Sequence, residues 1–296
     1  MKKTLAFILA AMMMLSATAC GKTEENPVEE NKPQQEVETP TTTPSTPSKD
    51  EKPKEEKPEE PEVEIEIPEQ GDKIAEIKAK NNDIIGWLQI PDTDINAAVV
   101  QYTNNEFYYR LNELKEYSFT GCYWADYECI IGDTAEDLGR STVIYGHNTD
   151  YIEPVDDKNG DRFSQLFHYT DVDWAKEHPY IYFSTPEEDM MWEVFACAYT
   201  STDFNYIKVL QEKGGEQITE GQMMNIVNEA RERSDYDYND VEVDGDDKIL
   251  ILSTCTYKYG NRKDLRYIVA AKLVTEDDKL VETANISLNT DKKAVS

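Results

Sequence analysis

The feature that most constrains the fold is a pair of apolar segments near the end of the chain. The first, at 249–252, is a run of isoleucine and leucine that continues through two hydroxyl residues to Cys255. The second, at 266–274, begins with Arg266 and is again largely apolar. Apolar, partly β-branched runs of this length are typical of buried strands. If a short polar loop joins two neighbouring strands, Arg266 is expected beside the Cys255 thiol.

This pairing suggests a particular chemistry. An arginine beside a cysteine favours the thiolate and supplies hydrogen-bond donors to a developing oxyanion. A proton carrier is also needed, and the chain has only three histidines. His147 closes a strand-like run at 142–146, whereas His168 lies in an amphipathic turn and His178 precedes a proline. We therefore predict that His147 carries the proton.

Taken in order, the segments TVIYGHN, LSTC and RYIVAAKL resemble the sortases, the cysteine transpeptidases of the Gram-positive cell surface. Upstream, 82–91 and 99–101 resemble the opening of the class B sortase domain, and the long segment between His147 and Cys255 also suits class B. The resemblance implies a mixed, mainly β fold, which is an eight-stranded β-barrel with peripheral helices. One helix is implied just before the strand of Cys255. The strands alone indicate only a β-barrel or a sandwich.

The resemblance further implies a two-step acyl transfer that uses no metal or organic cofactor. Cys255 attacks the threonine carbonyl of a short sorting motif and forms a thioester. His147 protonates the departing amine and then deprotonates an incoming one. Arg266 holds the oxyanion and the peptide. The implied partners are surface proteins or pilins that carry the sorting motif, and an amine of the peptidoglycan stem peptide or of a pilin subunit.

The residues alone leave open an alternative arginine and two alternative functions. Arg262 competes with Arg266, but it lies in a loop, where arginines are usually solvated. A cysteine hydrolase or amidase acting on wall peptides also relies on a cysteine and a histidine, but it has no requirement for an arginine. A non-catalytic binding lipoprotein would have the same amino-terminal segments.

Residues 1–20 begin with two lysines after the initial methionine, continue with an apolar run and end in small residues before Cys20. This order is that of a secretory signal, and it resembles a bacterial lipoprotein signal in which Cys20 is lipidated. An uncleaved membrane anchor is the alternative, although the apolar stretch 4–19 is shorter than the ~18–20 residues that span a bilayer comfortably. Both interpretations place the protein outside the cytoplasm, anchored to the outer face of the cell membrane.

Residues 21–70 contain nine of the 13 prolines, 16 acidic residues, six lysines and no aromatic residue. Such a segment cannot bury enough apolar surface to offset its ordering entropy, so we predict a disordered tether. The catalytic domain is predicted over 71–278 and a polar tail over 279–296. The formal net charge of −30 argues against nucleic acid as a partner and against adhesion to anionic lipid.

The remaining cysteines support weaker inferences. Cys197 lies in a predicted core strand and is expected to be a small buried hydrophobe. A disulfide between Cys122 and Cys129 across a loop is an alternative that we do not favour. The cysteine spacing matches no zinc pattern, and no metal site is predicted.

Hydrophobic periodicity, caps and turn residues predict the other elements. Helices or helical turns are predicted at 72–81, 105–111, 163–167, 171–177 and 206–212, and after a capping box at Thr219. Strands are predicted at 86–90, 95–101, 120–125, 142–146, 180–183 and 191–200.

Overall fold

The structure is a computed structural model that describes residues 63–149, 154–214 and 216–295. Cys20, the predicted signal and most of the predicted tether therefore lie outside the described residues. Within these ranges, every helix is too short or too polar to cross a bilayer.

The described ranges contain five helices and twelve strands. The helices are α1 (Gly71–Lys78), a 3₁₀ helix (Phe163–Thr170), α2 (Val172–Glu177), α3 (Lys208–Lys213) and α4 (Glu220–Arg233). The strands are β1 (Ile84–Gln89), β2 (Asn96–Val100), β3 (Tyr123–Ala125), β4 (Ser141–Tyr145), β5 (Asn148–Thr149), β6 (Asp161–Arg162), β7 (Tyr180–Ser184), β8 (Met191–Ser201), β9 (Tyr236–Tyr238), β10 (Ile249–Cys255), β11 (Leu265–Leu273) and β12 (Ile286–Leu288).

Eight of these strands close into a barrel in the order β1-β2-β3-β4-β10-β11-β8-β7. The other four form two small sheets, β5 with β6 and β9 with β12. The predicted eight-stranded, mainly β fold with peripheral helices is confirmed. The barrel brings together strands that are far apart in sequence, since β10 lies between β4 and β11.

The strands near the carboxyl end lack the alternation of a half-exposed sheet. Every residue of β8 is buried, and β10 is buried until its last residue, Cys255. Helix α4 contacts β8, and the 3₁₀ helix contacts β10 and β11. Both faces of these strands are therefore covered, which explains their nearly continuous apolar runs.

Local signals in the sequence set the ends of the two helices before β9. Gly214 ends α3 in a left-handed conformation with φ of 59°, as expected for a glycine at this position. Thr219 and Gln222 form the predicted capping box at the start of α4. The apolar side chains of α4 that are buried are Met223, Ile226, Val227 and Ala230. The helix implied just before the cysteine strand is thus confirmed.

Two regions differ from what the sequence predicts. The helical turn predicted over 105–111 is only a pair of tight turns, in which Tyr109 N–H donates to Glu106 O and Leu111 N–H donates to Tyr108 O. The predicted polar tail contains β12, whose Ile286 lies opposite Tyr238 of β9. Short strands of this kind lack the repeated apolar spacing that identifies longer ones.

Candidate active site

The register of one hairpin places Cys255 beside Arg266. Strands β10 and β11 are antiparallel, and Cys255 lies directly opposite Arg266. Directly opposed residues of an antiparallel pair project from the same face, with Cβ atoms about 4.5–5.5 Å apart. The proximity predicted from the two apolar segments is therefore present.

A second pairing brings His147 to the same end of the barrel. Strand β4 runs parallel to β10, with Tyr145 opposite Ser253. His147 lies two residues after Tyr145, and Cys255 lies two residues after Ser253. The two segments remain hydrogen-bonded beyond the paired residues, because the Thr254 hydroxyl donates to the Gly146 carbonyl at 2.7 Å.

His147, Cys255 and Arg266 all line one cavity, which has a volume of about 340 Å³. The structure thus brings the three predicted site residues together, whereas Cys20 lies outside the described ranges. The other lining residues are Asn105, Tyr109, Trp124, Tyr145, Gly146, Ile207, Gln211, Ser253 and Thr254.

Hydrogen bonding and packing fix the state of the His147 ring. Its Nε2 lies 2.7 Å from the Tyr109 carbonyl oxygen. A carbonyl only accepts, so Nε2 carries a proton and Nδ1 remains for other partners. The ring also packs edge-on against the Tyr109 ring, with centroids 4.6 Å apart, and lies 5.4 Å from the Trp124 ring.

Burial lowers the pKa of His147 below its ordinary value of 6.5. The hydrogen bond to Tyr109 acts in the opposite direction, and the positive charges of Arg110 and Arg162 lower the pKa further. Desolvation disfavours the charged imidazolium. His147 is therefore mostly neutral at neutral pH, with Nδ1 free to accept a proton.

Exposure separates Cys255 from the other described cysteines. Cys255 is exposed, whereas Cys122, Cys129 and Cys197 are buried, and all four are free thiols. Burial is the main reason why the pKa of each of the three buried thiols is raised. These three stay protonated at neutral pH, so Cys255 is the accessible nucleophile of this group.

The two candidate arginines have different surroundings. Arg266 Nη1 donates to the carbonyls of Lys263 and Leu265, both at 2.8 Å. These bonds use only Nη1, so they hold the guanidinium in place without consuming the donors on Nε and Nη2. Arg262 is exposed and forms a two-point ion pair with Asp264, at 3.1 and 2.5 Å, and it does not line the cavity.

The two other histidines lie away from the cavity and pack against a tryptophan. The His168 ring packs against Trp174, with centroids 5.1 Å apart. His178 stacks on the same tryptophan, donates from Nδ1 to its carbonyl oxygen at 2.7 Å, and places Nε2 3.0 Å from Asp92 Oδ2. His147 is thus the histidine with access to Cys255.

Several residues around the cavity were not predicted from the sequence. Tyr109 and Asn105 lie in an irregular loop, and Ile207 and Gln211 lie at and within α3. Gly121 has a φ of +62°, and a Cβ there would lie 3.0 Å from Cδ2 of His147. Gly121 falls inside the strand predicted over 120–125, where an isolated glycine indicates a bulge or a close backbone approach, but not contact with the histidine.

Within residues 63–149, 154–214 and 216–295, no group of three or more histidine, cysteine or acidic side chains is arranged to hold a metal ion.

Comparisons with known proteins agree with this fold. The family model of the sortase domain matches residues 88–274. Sortase B of Listeria monocytogenes serovar 1/2a is 32% identical over 208 residues, which are 70% of this chain and 76% of that protein. A Staphylococcus aureus sortase B–substrate complex matches with a TM-score of 0.57 and 24% identity, covering 70% of this chain and 87% of that chain. A sortase B complexed with triglycine matches with a TM-score of 0.56 and 23% identity, covering 70% and 88%.

Proposed function

The chain belongs to the sortase family, in its class B, and is a cysteine transpeptidase; we propose that Cys255, His147 and Arg266 are its catalytic residues. The observation that carries this proposal is the convergence of the three side chains on one cavity, with Cys255 and Arg266 in direct register. The proposed reaction cleaves a short sorting motif in a surface protein and joins the new carboxyl end to an amine.

The first step forms a thioester at Cys255. The thiol proton passes to Nδ1 of His147, the nitrogen not bonded to Tyr109. The sulfur attacks the carbonyl carbon of the motif threonine and gives a tetrahedral oxyanion. As this intermediate collapses, the C–N bond breaks, and His147 returns its proton to the departing amine.

The second step reverses the roles. An incoming amine gives its proton to His147 and attacks the thioester carbonyl, and the C–S bond breaks. The sulfur leaves as the thiolate and recovers its proton, so Cys255 is regenerated. The product is an amide between the surface protein and an amine of the peptidoglycan stem peptide or of a pilin subunit.

Arg266 is proposed to stabilise the oxyanion in both steps. Two backbone carbonyls hold its Nη1, so the guanidinium is oriented before substrate arrives. A pre-oriented donor needs no reorganisation when the negative charge develops, and this is the main source of its effect. The remaining planar donors can bind an oxyanion and a peptide carbonyl together.

The setting of the reaction is proposed from the amino-terminal segments. Lipid on Cys20, or an uncleaved anchor in 1–20, would attach the chain to the outer face of the cell membrane, and 21–70 would act as the tether. Support for a peptide substrate and an amine acceptor comes from relatives, since one sortase B structure contains a substrate and another contains triglycine.

The test is to incubate the full chain with a library of sorting pentapeptides, with and without triglycine or a diaminopimelate-like amine, and to separate the products. A transpeptidase yields the amide adduct and turns over faster with the amine. Free acid as the sole product with every amine would identify a hydrolase built on the same fold. Absence of cleavage, with binding of a ligand retained, would identify a binding lipoprotein.

A further inference from the structure

Asp156 joins the turn after Cys255 to the segment before β6. Its Oδ1 accepts from Tyr257 N–H at 2.9 Å, and its Oδ2 accepts from the Thr256 hydroxyl at 2.5 Å. Thr256 is 1% exposed, so its hydroxyl has little access to water. Hydrogen bonds to an ionised carboxylate are roughly twice as strong as neutral ones. The two residues that follow the nucleophile are therefore held by one carboxylate.

The same carboxylate reaches the residue that follows His147. Asn148 Nδ2 donates to Asp156 Oδ1 at 2.8 Å and to the Cys255 carbonyl at 3.1 Å. Both partners only accept, so the orientation of the Asn148 amide is determined. Its Oδ1 accepts from the Ser164 hydroxyl at 2.9 Å. Asn148 is 7% exposed, so this side chain is part of the interior.

These contacts bridge the two reacting residues. One side chain, Asn148, is adjacent to the proton carrier and bonds to the backbone of the nucleophile. The other, Asp156, holds that amide and the two residues after the nucleophile. We propose that Asp156 and Asn148 are positioning residues of the acyl transfer, which set the placement of Cys255 relative to His147. This inference rests on the proposed function.

Neither residue lines the cavity, so their effect acts through Cys255 and His147. Proton transfer and attack both depend on the separation of the two residues, and a misplacement of about 1 Å can cost about 10²-fold in rate. A positioning role therefore predicts a loss in kcat with little change in KM. It also predicts that shape and hydrogen bonding matter more than the negative charge.

The variants are chosen to separate position from charge. Asp156→Asn keeps an acceptor for Asn148 and Tyr257, and its amide can donate to the Thr256 hydroxyl after that hydroxyl rotates. Asp156→Ala removes all three contacts. Asn148→Asp keeps the shape but removes both donors and places a carboxylate against Asp156. Asp157→Ala is the matched control, because among the described residues that neighbouring carboxylate accepts only from Asn159.

The experiment measures kcat and KM for sorting-peptide cleavage by the full chain, well below the thermal unfolding midpoint of each variant. We expect Asp156→Ala and Asn148→Asp to lose about 10- to 100-fold in kcat. Asp156→Asn and Asp157→Ala should stay within about threefold of wild type, with KM nearly constant throughout.

Two results would overturn the positioning role. One is a wild-type kcat in Asp156→Ala or in Asn148→Asp. The other is an equal loss in Asp156→Asn and Asp156→Ala, since the charge would then matter rather than the placement. Failure of the wild-type chain to cleave any peptide is a separate outcome, because it rejects the proposed function itself and the positioning role with it.

Discussion

Two regions that meet at the cavity are built in different ways. The wall (β4, β10, β11 and β8) is a run of adjacent barrel strands joined by hydrogen-bonded ladders. The rim (residues 101–122 and 146–149) is mostly irregular. The wall places Cys255 opposite Arg266 by strand register. The rim holds the His147 ring by one side-chain hydrogen bond to the Tyr109 carbonyl.

This difference indicates how a register shift or a substitution affects each region. A register shift in the wall would move every side chain to the other face of a buried sheet, so the position of the nucleophile is strongly determined. The rim depends on a few contacts, and one added methyl group can disturb it. We therefore expect variants in the wall to affect either chemistry or stability, and variants in the rim to affect catalysis through the histidine.

The largest expected effect comes from two cysteines of the wall. Cys255→Ala should abolish cleavage and leave the unfolding midpoint nearly unchanged, because the side chain is exposed. Cys197→Ala should keep wild-type turnover but lose stability. Its Sγ lies 3.1 Å from the Tyr238 hydroxyl in the core, and an orphaned buried polar group costs about 1–3 kcal/mol. Activity assays with denaturant unfolding check both; a Cys197→Ala enzyme that is folded but inactive would move the chemistry away from Cys255.

The next largest effect is expected for Arg266 of β11, compared with Arg262 in the loop that precedes this strand. Arg266→Lys keeps the charge but replaces a rigid planar donor with a mobile one. Loss of one oxyanion donor typically costs about 10²–10³ in kcat, and steady-state kinetics measures it. Arg262→Lys is the control, since its partner Asp264 is exposed. A near-normal Arg266→Lys with an inactive Arg262→Lys would assign the role to the loop arginine.

A smaller effect is expected from a single methyl group in the rim. Gly121→Ala places a Cβ 3.0 Å from His147 Cδ2 and should lower kcat about tenfold. Gly214→Ala is the matched control, because its φ is +59° and a Cβ there meets nothing within 4 Å. Both changes put a side chain in the left-handed region, at a cost of about 1–2 kcal/mol in stability. Equal turnover in the two variants would show that the rim tolerates movement of the histidine.

The smallest effect concerns pH. Since the pKa of His147 is lowered from 6.5, the neutral base should persist below that pH, and the acid limb of kcat/KM should fall below pH 6.5. Stability has a related dependence. As the pH drops below 6.5, the unfolded chain binds a proton at this position before the folded chain does, so folding is weakened. His147→Gln should reduce this acid sensitivity; an unchanged pH profile of unfolding would contradict the half-buried, neutral histidine.

The wall was largely predictable from the sequence. Two apolar segments joined by a short polar loop predict an antiparallel pair, and the ends of those segments place Cys255 near Arg266. The parallel pairing of β10 with β4 joins residues more than 100 positions apart, and no local pattern specifies such a contact. The barrel closure was predicted from resemblance to a family rather than from the strands themselves.

The rim was not predictable for a physical reason. His147 is held by a backbone carbonyl, and every residue has one, so the identity of Tyr109 carries no signal of that bond. Asp156 was equally hidden, because its partners are a backbone N–H and two side chains, 8 to 101 positions away. Contacts of this kind depend on how loops fold over the end of a barrel.

The central claim is that acyl transfer proceeds through a thioester on Cys255. The most direct measurement is the mass of the full chain quenched during turnover of a sorting peptide without an amine. The proposed mechanism predicts a chain heavier by the acyl fragment, with the added mass on the peptide that contains Cys255. Addition of triglycine should remove the adduct as the amide forms, and Cys255→Ala should never show it. Cleavage by Cys255→Ala at the wild-type rate, or an acyl adduct on another residue, would contradict the mechanism.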